Sequence, residues 1–364
     1  MTIEVREIAV PAAFDDGTPE WATFAEMIDV RNAVLAHRWG GDESHAITAQ
    51  EAYGTASSQD DERIVYLGGW LDGRLVARSY VGLPVHESTH VANADLYVLP
   101  EARGRGVGAA VWRAIEALLE AEGRTTVQAW VDHVPADGPV VAAPTGFGAV
   151  PADAAETRFL LARGFVLEQV ERMSELRLDA SIGDLERLQA AALPYARGYA
   201  IRTWTGRTPP ELLDALAVLH QRMSTDAPAA GMEIEEEVWD AGRVERIEEL
   251  EERRGRDMLR AVAMHEATGD LVAFTTLVVA SPDRPVYQHD TLVHGEHRGH
   301  RLGMLVKVAN LLALAERIPH GARVLTWNAE ENRPMLGVNE ALGFTAIGYE
   351  GAWQLVRGAA SVEA

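Results

Sequence analysis

The chain has 364 residues, a formal net charge of −22 and no cysteine. Its length exceeds what one hydrophobic core normally spans, so two domains are expected. The missing cysteines exclude disulfides, thiolate metal sites and a cysteine nucleophile, and the charge opposes binding to duplex nucleic acid or an anionic membrane while favouring a cationic small molecule.

The N-terminus, MTIEVREIAVP, lacks a basic region followed by an apolar core, so it reads as a first strand over 3–10 and not as a signal peptide. A helix is expected over 20–36, then two strands around the Asp72-Gly73 hairpin signal. The turn RGRGVG (103–108) follows a strand and opens a helix. After that helix come a strand (TTVQAWV), a Pro/Gly/Ala-rich loop over 132–156 and a helix ending at Gly164-Phe165. A short helix and a break at Pro194 mark the boundary between halves.

A second opening strand, YAIRTW, precedes a helix over 209–222 with Thr208 as its expected N-cap. The acidic run 233–256 reads as a solvated helical face. Two strands flank Thr268-Gly269-Asp270, and LVAFTTLVVA within them is too short to span a bilayer. The stretch from Asp290 to Leu312 then repeats an earlier one. Asp290, Val293, Arg298, Gly299, Gly303 and Val306 match Asp95, Val98, Arg103, Gly104, Gly108 and Val111, always offset by 298 − 103 = 195. A period of that size means tandem copies of one domain.

Where a strand gives way to a helix, main-chain N–H groups point outward without helical partners. With the helix dipole they form an anion site suited to a diphosphate. The turn carries neither the full dinucleotide fingerprint nor a Gly-Lys-Ser/Thr P-loop. LYVLPEARGRGVG, followed by helix, strand, helix and Gly-Phe, resembles the GCN5-related N-acetyltransferase (GNAT) superfamily. Its Arg/Gln-x-x-Gly-x-Gly/Ala signature is filled by Arg103, Gly106 and Gly108. In the second half Arg298 and Gly303 match, and Arg301 stands where the middle glycine belongs. The tandem layout is similar to that of two-domain actinobacterial acetyltransferases such as mycothiol synthase.

The resemblance implies an α/β fold of two tandem GNAT-like domains, each a mixed, mostly antiparallel twisted sheet flanked by helices. The domains would be 1–180 and 199–364, with 181–198 as linker. It implies acetyl-CoA as co-substrate, held by Arg103, Gly104, Arg105, Gly106, Val107 and Gly108. The second set is Arg298, Gly299, His300, Arg301, Leu302 and Gly303. Asn328 and Asn332 occupy positions that typically reach the pantetheine arm. An N–H of Val98 or Leu99, and of Val293 or His294, would meet the thioester carbonyl.

Transfer of an acetyl group to an amine needs a base to remove a proton. Asp290 is favoured, with Asp95 as its counterpart, and His289 and His294 are alternatives. Ion pairing is the competing role for both carboxylates. The superfamily's usual thiolate acid, a tyrosine four residues before the closing glycine, is replaced by Leu160 and Asn339, leaving Tyr349 as a substitute. The 12 histidines show no metal-ligand spacing, so no metal is expected. The expected protein is a cytoplasmic N-acetyltransferase acting on a small cationic amine, with the C-terminal copy catalytic. It would bind neither nucleic acid nor membrane. The alternative is a sensor or scaffold that binds acyl-CoA without turnover.

Overall fold

In the computed structural model, which describes residues 1–15, 17–318 and 320–358, each half builds five strands in the same order and borrows a sixth. The first half contains β1 (Ile3–Ile8), α1 (Pro19–Arg38), α2 (Ala49–Ala56), β2 (Glu62–Leu71), β3 (Arg74–Pro84), β4 (Val91–Val98), α3 (Val107–Ala121) and β5 (Thr126–His133). A small hairpin of β6 (Val140–Ala142) and β7 (Ala149–Pro151), then α4 (Ala155–Leu161) and β8 (Val166–Arg177), complete it. The second half contains α5 (Ile182–Ala192), β9 (Tyr199–Thr205), α6 (Leu213–Asp226), α7 (Ala241–Arg253), β10 (Asp257–His265), β11 (Leu271–Val279) and β12 (Val286–Val293). It closes with α8 (Leu302–Arg317), β13 (Arg323–Ala329), α9 (Arg333–Leu342) and β14 (Thr345–Val356).

The chain divides into two compact units that no single cut separates. One comprises 1–170, 229–234 and 349–364; the other comprises 171–228 and 235–348. In the first, β1 to β4 pair antiparallel, β4 and β5 pair parallel, and β14 runs antiparallel beside β5, Trp353 opposite Ala129. In the second, β9 to β12 pair antiparallel, β12 and β13 pair parallel, and β8 runs beside β13. Both sheets are mixed and mostly antiparallel, as expected. The sixth strand comes from a distant part of the sequence, so each compact unit is discontinuous along the chain. Within the segment 181–198 the expected short helix is α5, with Leu185 in the core and packed against α8, and it ends before a 3₁₀ turn at Leu193–Tyr195.

Local signals explain the elements. The Thr18 side chain caps α1 by accepting from Trp21 N–H, and Pro19 opens the helix. Val107, Val111, Ile115 and Leu119 recur at four-residue spacing on α3 and bury against the sheet. Asp72 and Gly73 take positive φ (50° and 86°) in the β2–β3 hairpin, as the dipeptide predicts.

Three other expectations are corrected. The loop expected over 132–156 carries the β6–β7 hairpin and the start of α4. Thr208 caps no helix, because its N–H and hydroxyl both donate to Glu248, and a 3₁₀ turn at Pro210–Leu212 precedes α6. The acidic run is helical only over Ala241–Arg253, where Glu248 and Glu251 are buried. Glu248 pairs with the buried Arg260, and Glu251 with Arg254 and Arg256. The pattern of acidic residues cannot separate a solvated face from one whose carboxylates neutralise buried arginines.

Candidate active site

In the first unit, β4 and β5 hydrogen-bond only as far as Asn93 opposite Gln128 and then part. The opening is a cavity of about 380 Å³, of a size that suits a small-molecule ligand. Arg103, Gly104, Gly106 and Gly108 line it, together with Asp95 and Val98. Gly104 and Gly106 hold φ of 71° and 84°, the left-handed region, and Gly106 caps α3. No atom lies within 4 Å of where a Cβ on Gly104 would sit. A Cβ on Gly108 would meet the Phe159 ring at 3.3 Å. The turn therefore offers an open main-chain cradle at a helix N-terminus, which fits the diphosphate of an acyl-CoA. Arg105 and Val107 belong to the same turn but are not among the residues lining the cavity.

The charge beside that cradle is already organised. Arg103 Nε donates to the Val98 carbonyl (3.2 Å), and its Nη2 reaches Glu156 (3.4 Å), which also pairs with Arg38 (3.0 Å). Burial alone would raise the Glu156 carboxyl, but Arg38 and Arg103 hold it below the ordinary range. His133, buried near Arg38, is pushed down to about 4, by burial first and Arg38 second. Asp95 takes the competing role: its carboxylate accepts from Arg78 (2.8 Å) and from the Tyr80 N–H (2.8 Å).

The main-chain donors can be sorted. The Leu99 N–H donates to Val76 and the His294 N–H to Val272, so neither is open to a ligand. Successive N–H groups alternate sides along a strand. Those of Val98 and Val293 therefore turn toward the sides vacated by β5 and β13.

The second unit repeats the parting, with β12 and β13 paired only as far as Gln288 opposite Thr326. Its cavity, about 340 Å³, is lined by Asp290, His289, Lys307, Asn328 and Asn332 among others, but by no residue from Arg298 to Gly303. The second turn is engaged by the protein's own groups. Arg298 repeats the bond to the valine carbonyl (Val293, 3.2 Å) and pairs with Asp226 (2.9 Å). Arg301 takes the left-handed φ of 55° at the α8 N-cap and lies over the Tyr195 ring (4.2 Å). His300 contacts the Tyr195 carbonyl (3.1 Å), and His297 contacts the Tyr199 hydroxyl (2.9 Å). His294 is not among the cavity-lining residues. Asn332 caps α9, and Asn328 accepts from Asn339 (2.6 Å).

Asp290 differs from Asp95. Among the described residues no arginine is bonded to it; the Nδ1 of His220 lies 3.7 Å from its Oδ2. His220 stacks on Trp239 and is pushed down to about 3, mainly by burial and then by Arg260, so it is neutral. The Asp290 side chain is 46% exposed to the cavity, yet the surrounding protein, with Glu237 adding repulsion, raises its carboxyl. Cavity water screens part of that shift, and a ligand displacing the water would enlarge it. Sequence reasoning missed His220, Lys307, Arg38 and Glu156. Only Lys307, a lone charge inside the apolar run GMLVKVANLL, left a signal that could have been read.

Tyr349, the expected substitute acid, pairs with His133 on β5 and so belongs to the first unit. Among the described residues no group of three or more His, Asp or Glu side chains is placed to hold a metal, and no helix is long and apolar enough to cross a membrane.

Residues 28–137 match the Acetyltransferase (GNAT) family. The whole chain resembles a tandem GNAT protein from the clavulanic acid biosynthesis pathway, with 26% identity, 99% of this chain and 100% of that one covered, and a TM-score of 0.75. It shares its fold with a GCN5-related N-acetyltransferase from Sphaerobacter thermophilus (15% identity, 99% and 98% covered, TM-score 0.61). It also shares the fold of a glucosamine N-acetyltransferase region of a fungal multi-domain enzyme (15%, 97% and 38%, TM-score 0.63). A search of curated proteins gives no match. The chain is a tandem GNAT-fold protein, and its enzyme class is acyltransferase.

Proposed function

We propose that the protein is an acetyl-CoA-dependent N-acetyltransferase that moves the acetyl group to a small amine by direct attack in a ternary complex. The observation that carries this is the first copy's open glycine turn, which lines the same cavity as Asp95 and Val98. Acetyl-CoA supplies the activated acyl group. The turn, with Arg103 to Gly108, would hold the diphosphate, and the Val98 N–H would face the thioester carbonyl, where a donor stabilises developing oxyanion charge. Holding both substrates together contributes the rest, on the order of 7–11 kcal/mol of effective concentration. The formal charge of −22 favours a cationic acceptor. We further propose that 1–180 and 199–364 are the two copies of the domain. Binding of the cofactor at the glycine turn is assigned to the first copy, because its turn lines a cavity and the second turn does not. Asp290 in the second is the stronger base, because among the described residues no arginine is bonded to it, and it would serve an acyl-CoA bound in its own cavity.

Binding without turnover is the second reading, and it is favoured by the Asp95–Arg78 ion pair and by Leu160 and Asn339 where a tyrosine acid would stand. Calorimetric titration with acetyl-CoA, followed by thiol release against an amine panel, separates the two. One bound acetyl-CoA with release supports the transferase. Binding with no release from any amine supports the sensor, and no binding at all overturns both.

A further inference from the structure

The second unit's cavity holds a charge that nothing above uses. Lys307 on α8 is 1% exposed and lines the cavity. Its Nζ lies 5.8 Å from the Phe344 ring centroid and has no hydrogen-bond or ion-pair partner among the described residues. Burial pushes it down to about 7. Packing does not require a lysine here. By the 195-residue offset the matching residue is Trp112, which meets Phe165 edge-on at 5.4 Å. The fold thus has an apolar solution at this place, and a lone buried cation is less stable than that solution unless something pairs with it.

On β12, Gln288 Nε2 donates to Thr275 Oγ1 and to the Thr276 carbonyl (2.8 Å each), which fixes the amide and leaves Oε1 buried without a donor. The β11–β12 register shifts between the pairs Thr275–Thr291 and Leu277–Gln288, so side chains stop alternating across 289–290, and Asp290 turns to the cavity on a different face from the buried Gln288 amide. The cavity therefore presents the Asp290 carboxylate on β12 and an unpaired amine on α8.

We propose that this cavity binds a small zwitterion, an amino acid whose ammonium meets Asp290 and whose carboxylate meets Lys307. Binding itself does not depend on the acetyltransferase reading; a role for the amino acid as acyl acceptor rests on that reading and on acyl-CoA entering this same second cavity. Capture of the carboxylate restores the Lys307 proton, so binding above neutral pH takes up a proton. The other titrating residues lining the cavity are Tyr287, His289 and Asp290.

The test is calorimetric titration of the full chain at pH 8, in two buffers of different ionisation heat. The ligands are the ladder of ω-amino acids from glycine to 6-aminohexanoate, each with its matched amine and matched acid. At least one ladder member is expected to bind about tenfold or more tighter than both matched compounds, with uptake of about one proton. Lys307→Met should remove the advantage over the amine, and Asp290→Asn the advantage over the acid. The proposal is overturned if no ladder member binds the wild type, or if neither substitution changes the pattern. Acetyl-CoA titrated separately tests the transferase reading, so either idea can fail while the other stands.

Discussion

Arg78 donates to the Asp95 carboxylate at 2.8 Å, and the second copy has no such arginine. Arg78 stands opposite Tyr97 across the sheet, and the equivalent place, opposite Leu292, is Phe274. Phe274 packs on His220, the ring facing Asp290. One arginine-to-phenylalanine difference gives the two matched carboxylates different chemistry: Asp95 orients and pairs, and Asp290 is left to accept a proton.

Asp95→Asn should therefore act mainly on stability. It leaves the Arg78 guanidinium buried without its counter-ion, at a cost of about 3 kcal/mol or more. Asp290→Asn should leave stability nearly unchanged and lower the acyl-transfer rate by roughly 10²-fold or more if Asp290 is the base. Urea melts of both variants, with turnover measured alongside, read the contrast. Equal effects on both quantities would refute it.

Gly108→Trp should abolish acetyl-CoA binding at the first turn, because even a Cβ there meets Phe159 at 3.3 Å. Gly303→Trp, where a Cβ meets only Val293 at 3.5 Å and the turn lies apart from the cavity, should leave that binding intact. Stoichiometry and affinity by calorimetry decide, and unchanged affinity in Gly108→Trp would remove the ligand assignment.

Glu248→Ala should be among the most damaging single substitutions. It strands Arg260, which is 1% exposed, and removes the partner of Thr208. The expected loss is about 3–5 kcal/mol in chemical denaturation. Glu248→Leu combined with Arg260→Met should recover most of it. A double variant as unstable as Glu248→Ala would show that the pair is not the cause.

Two buried neutral histidines make stability depend on acid. His133 and His220 have folded values of about 4 and about 3, below the ordinary value. Between that ordinary value, near pH 6.5, and the folded values, the unfolded chain binds protons that the folded chain refuses. Stability then falls with falling pH by about 1.4 kcal/mol per unit for each group. Glu171, raised to about 7 by burial and then Glu331, works in the opposite sense between its ordinary value and 7. The histidine contribution is therefore read as the difference between wild type and His220→Gln across pH 4 to 7. The variant should show a shallower acid loss, and parallel curves would count against the burial argument.

The repeat, the two glycine turns with their helices, and the Asp72-Gly73 hairpin were legible from local sequence. Each rests on short-range chemistry: a left-handed φ that glycine tolerates, a helical stripe, a two-residue turn. The strand beside β5 was not legible. Main-chain ladder bonds carry no residue code, so nothing local distinguishes β14 from β8 as the partner of β5; the choice was settled by Trp353 entering the first core and Gln354 bonding Gln128 at 3.0 Å. Charge was legible as composition but not as pairing. The sequence by itself determined two copies of one cradle-bearing fold, because periodicity and turn chemistry are local. Only the tertiary structure decided which cradle opens onto a cavity, which aspartate meets an arginine and where Lys307 is buried, because those depend on side chains brought together from distant positions.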